Sequence, residues 1–364
     1  MFVQLVKGLE LLPLSHFRRD FCHAEDAGQK RSFFVRLIGE GVYDSGGPYR
    51  EVIGTAAATE PLSVLGVAKL TANCENGLEG DEEYELADFH NDRNRAEFYR
   101  YQFYWGMVIG LALRGSIPLP LPFSSLVMKQ LCSERVDVED LMDCESAFLN
   151  LCRKWDEVVA AFGSIREVIR VLPVSEEKKE ALLRKVSVES RAAWCLDMMT
   201  AIIEEKRENA RRLLCGLHSV IPAETLSLFS EREMRLLLCG SEQIEVSDLK
   251  HIVEYTEGVD ESHPTIQRFW RVMQELTVKE RAGVLQFVCA RSRLPVPPSQ
   301  PISFKIVLTN LGDDALPQSQ TCFSILKLPN YSSDAIMKKR LLYAIGNATT
   351  MELDVQLHDA EGWE

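Results

Sequence analysis

Ten cysteines and seven histidines are the residues of this chain best suited to act as nucleophile, base or metal ligand. The cysteines are Cys22, Cys74, Cys132, Cys144, Cys152, Cys195, Cys215, Cys239, Cys289 and Cys322, scattered and with no C-x-x-C pair. The histidines form neither HExxH nor H-x3-H, so the spacing predicts no metal site. Most thiols sit in apolar runs, such as Leu214-Cys215-Gly216 and Leu238-Cys239-Gly240, and are expected to be buried and reduced. Cys322 differs. It lies in Leu316–Tyr331, LPQSQTCFSILKLPNY, between a polar loop and a short apolar segment. Ser319, Gln320 and Thr321 are costly to bury, which places the loop at the surface. Ser324 to Leu328 reads as a strand, closed by Pro329-Asn330. A thiol at that junction is reachable and is held by the strand behind it, and a nucleophile needs both properties. The competing reading is a small buried hydrophobe, the commoner fate of a lone cysteine.

A second stretch invites a chemical reading. Phe33 to Ile38 reads as a buried strand running into Gly39-Glu40-Gly41 and then Gly46-Gly47-Pro48, with Tyr49 to Ile53 opening a helix. Strand, glycine turn and helix suggest a phosphate loop, but there is no GK[ST] and the third glycine is missing at its spacing. The turn reading is preferred, with Gly46 and Gly47 supplying unusual backbone angles and Pro48 in the first helical turn.

Composition narrows the function classes. The net charge of −13 opposes binding to duplex nucleic acid or to an anionic membrane surface. The most apolar run, Trp105 to Leu113, meets Arg114 far short of the ~20 residues that span a bilayer. The cysteine usage fits the cytoplasm, with the nucleus as the other compartment. A length of 364 residues suggests about two domains, and 46% hydrophobic residues suffice for sizeable cores.

Periodicity supplies the scaffold. Phe2, Leu5, Val6 and Leu9 fall on one helical face. Thr71 to Glu97, with Glu79, Asp81, Glu82, Glu83 and Glu85, is expected as a solvated acidic loop. Phe98 to Leu113 reads as a core helix, and Phe123 to Leu131 resumes the pattern after Pro118, Pro120 and Pro122. Asp137 to Glu189 is mostly helical, with Val158, Val159 and Phe162 on one face and Ile165, Val168, Ile169 and Leu172 on another. Ser190 to Leu217 forms one helix by pattern: Trp194, Met198, Ala201 and Ile202 face inward, and Glu204 to Glu208 outward. Ser230-Glu231-Arg232-Glu233 is a capping box, and Gly240 to Gln243 a break. Asp248 to Tyr255, Thr265 to Leu276 and Val278 to Ala290 follow as helices. Pro295, Pro297, Pro298 and Pro301 make a crossing, Phe304, Ile306 and Leu308 alternate as a strand, and Leu311 to Asp314 turns. A last helix from Ser332 carries Ile336, Leu341, Tyr343, Ala344 and Ile345, and Met351 onward is an acidic, loose tail. The reading is α+β: a large, mainly helical amino-terminal part and a smaller mixed carboxy-terminal part holding Cys322.

The ordered combination Leu316-Pro317, Thr321-Cys322-Phe323, Leu326, Leu328-Pro329, Tyr331-Ser332-Ser333 and Leu341 to Ile345 resembles the HECT family of ubiquitin ligases. Further matches are Gly39-Glu40, Asp44, Gly46-Gly47, Arg50-Glu51, Gly110, Ala112, Pro122-Phe123, Cys239-Gly240, Tyr255, Phe269-Trp270, Leu285 to Val288 and Ser292 to Pro295. Within the family the chain is most similar to the large HERC-type and HECTD-type members.

The resemblance implies a bilobal fold. Its N-lobe would span 1–240, with the conjugating-enzyme-binding subdomain at roughly 132–188, a hinge at 241–243, and a C-lobe at 244–364. It implies an E3 ubiquitin ligase whose partners are a ubiquitin-charged E2 conjugating enzyme, ubiquitin and a protein substrate, with no cofactor. Ubiquitin would pass to Cys322 as a thioester and then to a substrate lysine, with Thr321 as a local orienter. A catalytically weak HECT-like scaffold is the alternative. Thioester exchange swaps two similar bonds, so access and alignment matter more than a strong base. The second step needs somewhere for the lysine proton to go, with Asp313, Asp314, Glu352 and Asp354 as candidates. A papain-like hydrolase would need a Cys-His pair, and the nearest histidine in sequence is His358. The chain departs from the family at three places. Gln320 stands where many members have His, the segment from about Cys132 to Val188 is short and poorly matched, and Met351 to Glu364 replaces the usual terminal Phe.

Overall fold

The computed structural model describes residues 1–19, 30–35, 47–58, 60–75, 82–87, 94–141, 165–170, 172, 174–185, 191–241, 243–256, 258–289, 291–295, 304–321 and 324–354. The fold is α+β, and the chain forms two compact units. One comprises Met1–Arg18, Thr55–Arg114 and Leu119–Leu238; the other comprises Arg19–Gly54, Gly115–Pro118 and Cys239–Glu364.

The first unit is built on two long helices, Arg95–Arg114 and Arg191–Val220, packed against each other. The earlier helix buries Phe98, Tyr101, Trp105 and every residue from Gly106 to Ala112, as a helix apolar on all sides must. The pair meets through glycine. A Cβ on Gly106 would lie 1.9 Å from the Leu213 carbonyl oxygen, and one on Gly216 would lie 1.7 Å from that of Phe103. Trp105 Nε1 donates to the Ala57 carbonyl at 2.9 Å, so its buried N–H is satisfied. Helix Phe2–Leu9 buries Phe2, Val6 and Leu9, on the face its periodicity marks. The capping box forms as expected: Ser230 N–H and Oγ bond Glu233 at 2.9 and 2.8 Å, opening helix Glu231–Cys239.

Charge patterning misleads in this unit. The stretch expected as a solvated loop contains β2 (Tyr84–Leu86), antiparallel to β1 (Ala68–Leu70), and helix Ala72–Glu75. Glu85 is only 3% exposed and pairs with Lys69 at 3.3 Å and with Lys206. Glu205, expected on the outer face of the long helix, is buried and pairs with Lys178 at 2.9 Å. The helical period explains both departures, since Glu205 and Lys206 stand four residues beyond Ala201 and Ile202 and so share their inward stripe. Val158, Val159 and Phe162 lie outside the described residues, whereas Val168, Ile169 and Leu172 are buried as expected.

The second unit centres on a four-stranded sheet of order β3-β4-β6-β5. Its strands are β3 (Val253–Tyr255), β4 (Phe304–Thr309), β5 (Gln318–Gln320) and β6 (Ile325–Pro329). β3, β4 and β6 run parallel and β5 runs antiparallel to β6. Parallel neighbours require long crossovers. Helices Pro264–Glu275 and Val278–Cys289 form the one between β3 and β4. Phe304, Ile306, Leu326 and Leu328 pack with Phe269, Trp270, Val288 and Leu341 into one core. The stretch read as helical to Tyr255 leaves the helix at Ile252 and becomes β3, because its last residues pair with Phe304 to Ile306. Of the strand expected over Phe33 to Ile38, residues 33–35 are irregular and the rest lie outside the described residues. The final helix, Asp334–Asp354, continues four residues into the stretch expected as a loose tail. Among the described residues no helix is long and apolar enough to cross a membrane.

Candidate active site

The polar run before Cys322 is surface chain, as expected, but it is a strand rather than a loop. Gln318 to Gln320 pair with Lys327, Leu326 and Ile325, with Gln318 and Gln320 exposed. An edge strand needs one ladder only and tolerates polar side chains on its open faces, which is why alternation did not reveal it. β5 and β6 make a hairpin whose connection is Thr321 to Ser324. Cys322 and Phe323, at its centre, lie outside the described residues, and so does His358.

The two ends of that connection are held from several directions. The Ser324 N–H donates to the Thr321 carbonyl at 3.3 Å, bracketing the two central residues. Ser324 has φ of 50°, a left-handed conformation uncommon outside glycine and suited to tight turns. Its carbonyl accepts from Lys305 N–H of β4 at 2.8 Å, and its side chain is buried against the Cys289 thiol at the end of helix Val278–Cys289. Arg50, from helix Gly47–Ala58, is 5% exposed and donates from Nη2 to the Thr321 carbonyl at 3.3 Å. Burial pushes the Cys289 thiol up, against the pull of the Arg291 and Arg50 charges and the Ser324 hydroxyl. Burial and then the Arg50 charge hold the Arg291 guanidinium below the usual arginine range. A protein places two guanidiniums together only where surrounding acceptors compensate them, and the Thr321 carbonyl is one.

The candidate proton acceptors separate. Asp313 Oδ1 and Oδ2 accept from Ser332 N–H and Oγ at 2.7 and 2.6 Å, and these bonds hold its carboxyl below the usual range, making it a poor base. Asp314 is fully exposed, 3.5 Å from Arg340. Glu352 and Asp354 fall in the last turns of the final helix. The segment after β6 is anchored to helix Pro264–Glu275. Thr265 Oγ1 donates to Asn330 at 2.6 Å, and Arg268 bonds the Tyr331 carbonyl at 2.5 Å and Asp334 at 3.1 Å. The sequence singles out Thr321 and Cys322 but not Arg50 and Ser324, which both bond the Thr321 carbonyl. Arg50 is separated from Thr321 by 271 residues, and no local period carries such a contact. Cys215, expected in an apolar setting, is an exposed thiol, whereas Cys239 and Cys289 are buried.

Comparison with known proteins gives this arrangement its family. The model of the HECT-domain (ubiquitin-transferase) family matches residues 67–354, a stretch that includes the Thr321–Ser324 connection. The chain is 29% identical over 335 residues to E3 ubiquitin-protein ligase HERC2 of Mus musculus, covering 89% of this chain and 7% of that protein. It is 30% identical over 281 residues to E3 ubiquitin-protein ligase HACE1 of Danio rerio, covering 70% of this chain and 30% of that protein. The chain therefore spans less than a third of the length of these curated relatives. With the family model matched across most of its length, the chain belongs to the HECT-domain family.

Proposed function

We propose that this chain is the catalytic part of a HECT-type E3 ubiquitin ligase, with Cys322 as the residue that accepts ubiquitin. One observation carries the reading: the family match runs through the hairpin on which Cys322 stands. In the first step the Cys322 thiolate adds to the carbonyl carbon of the conjugating enzyme's ubiquitin thioester. The new C–S bond forms, the old one breaks, and the conjugating enzyme's cysteine leaves as thiolate. In the second step a neutral lysine amine of the substrate adds to the same carbonyl carbon. The bond to Cys322 breaks, and the amine proton passes to solvent or to a nearby carboxylate. Asp314 suits that role better than Asp313, whose oxygens are engaged by Ser332.

The bilobal arrangement belongs to the same proposal. The division between Leu238 and Cys239 falls near the proposed end of an N-lobe over 1–240, before a hinge at 241–243 and a C-lobe over 244–364, whereas Arg19–Gly54 and Gly115–Pro118 group with the second unit and depart from that scheme. The conjugating enzyme would be engaged by residues 132–188. Thr321 contributes through its backbone carbonyl, which gathers Ser324 and Arg50 onto the connection.

The test is a charging assay with activating enzyme, a panel of conjugating enzymes and labelled ubiquitin. An adduct that reductant removes, and that Cys322→Ala abolishes in a folded protein, supports the reading. A folded wild-type chain that takes no adduct from any conjugating enzyme would favour a scaffold instead.

A further inference from the structure

We infer that the chain between the proposed lobes bends at Gly240, and that residues 241–243 are carried as a fixed part of the second unit. This rests on the bilobal reading and deepens it, narrowing the hinge to the residue at its amino-terminal edge.

Two stretches that the sequence marks, Cys239-Gly240 and Ser292 to Pro295, come together here. Ser241 and Leu294 form an antiparallel bridge. The Ser241 N–H donates to the Leu294 carbonyl at 2.8 Å, and the Leu294 N–H donates to the Ser241 carbonyl at 3.3 Å. Leu294 is buried in the core that holds Phe269, Phe304 and Leu326, so the bridge fastens Ser241 to the body of the unit. Ile244, at the other end, is fully buried in the same core, and its carbonyl accepts from Arg281 Nη1 at 2.8 Å. Arg281 is held in turn, its Nε donating to the Met273 carbonyl at 3.0 Å. Between these anchors the Ser241 hydroxyl donates to the Gln243 carbonyl at 3.0 Å. Bending within 241–243 would break backbone hydrogen bonds or draw Ile244 out of the core, and both are costly.

The chain is anchored upstream as well. Helix Glu231–Cys239 buries Met234 and Leu238, and the Leu238 carbonyl accepts from Leu119 N–H at 2.7 Å. Gly240 stands between the helix and the bridge. Its φ of 71° is left-handed, and a glycine moves between this region and its neighbours with no side chain to clash. A Cβ there would lie 2.7 Å from the Leu294 carbonyl oxygen and 3.2 Å from the Cβ atoms of Arg293 and Pro118. A left-handed glycine is also an ordinary way to stop a helix. Here the stop occupies the position where backbone rotation breaks neither the helix nor the bridge, which makes it the pivot.

The test uses the full chain and two readouts. The first is residue-resolved amide exchange on the protein alone. The Ser241 and Leu294 amides are expected to exchange about 100-fold or more slowly than the Gln243 amide, which donates no hydrogen bond among the described residues. The second is single-turnover transfer of ubiquitin from a precharged conjugating enzyme to Gln243→Pro and Gly240→Ala, each checked for a wild-type thermal transition. Gln243 is exposed, so proline stiffens 241–243 there without removing a described bond. Its transfer rate should stay within about twofold of wild type. Gly240→Ala restricts the pivot and crowds the Leu294 carbonyl, and should slow transfer about tenfold or more. If Gly240→Ala does not fold, Gln243→Pro and the exchange rates still decide. Tenfold slowing in Gln243→Pro, a wild-type rate in folded Gly240→Ala, or Ser241 and Leu294 amides as fast as that of Gln243 would overturn the inference. Exchange needs neither ubiquitin nor a conjugating enzyme. Absence of any ubiquitin adduct on the wild-type chain would therefore sink the ligase reading, while exchange still decides whether Ser241 is fixed to Leu294.

Discussion

Replacing Gly216 with alanine should loosen the first unit at its central helix pair. The new Cβ would sit 1.7 Å from the Phe103 carbonyl oxygen, and backbone cannot swing aside as a side chain can. The helices Arg95–Arg114 and Arg191–Val220 must then part by about 1 Å or more to restore normal contact. Met107, Leu213, Leu217 and Val220 flank the crossing and are buried. A buried side chain of this size makes about 40–60 contacts of ~0.1–0.2 kcal/mol each, and a gap approaching 1 Å forfeits a quarter to a half of each well. With roughly a third of those contacts aimed at the other helix, each side chain loses about 0.5–1 kcal/mol, or about 2–4 kcal/mol for the four. Alanine returns about 1 kcal/mol through its helix propensity, leaving a net cost of about 1–3 kcal/mol. Gly106→Ala should behave alike, since its Cβ would meet the Leu213 carbonyl oxygen at 1.9 Å. Gly54→Ala is the internal control, a helical glycine with nothing within 4 Å of an added Cβ, and should stabilise by about 0.5–1 kcal/mol. Urea unfolding followed by far-UV circular dichroism measures all three. A Gly216→Ala midpoint equal to wild type, or a loss in Gly54→Ala as large as in Gly216→Ala, would refute the reasoning.

Two further outcomes follow from the charged groups. Glu85→Ala removes a carboxylate only 3% exposed that pairs with both Lys69 and Lys206 and should cost about 3 kcal/mol in the same urea experiment, as removal of one buried partner does; a surface-like loss under about 1 kcal/mol would contradict the burial of the pair. Asp334 has its carboxyl held below the usual range by its hydrogen bonds to Arg271 first and by the charges of Arg271 and Arg268. A depressed pKa contributes stability that is present above the unfolded carboxylate value, about 4, and is lost as pH falls through the lower folded value. Asp334→Asn should therefore lower stability at neutral pH and flatten its decline below about pH 4, and an unchanged acid limb would count against the ion pairs.

The helices were legible because their burial follows a single period. Phe2, Val6 and Leu9, the run from Phe98 to Ala112, and Met198, Ala201 and Ile202 all announce their inward faces. The Ser230 capping box was legible because it is local. What escaped the sequence depends on distant partners. Glu85 and Glu205 are charged and so look solvated, yet lysines from other elements allow them to be buried. Gln318 to Gln320 carry no apolar alternation because an edge strand is defined by its neighbour's backbone. Val253 to Tyr255 become strand only by pairing with Phe304 to Ile306. At the candidate site the sequence marks Thr321-Cys322, whereas the arginine that grips their shared peptide comes from 271 residues away.

Ligase chemistry in this chain requires ubiquitin to attach at Cys322. The most direct measurement is a single-turnover charge from a ubiquitin-loaded conjugating enzyme, quenched in acid and mapped by peptide mass spectrometry. The expected result is ubiquitin's carboxy-terminal glycine in thioester linkage on the peptide containing Cys322, lost on reduction and absent in Cys322→Ala. A thioester on the exposed Cys215 instead, or an adduct that persists in Cys322→Ala, would contradict it.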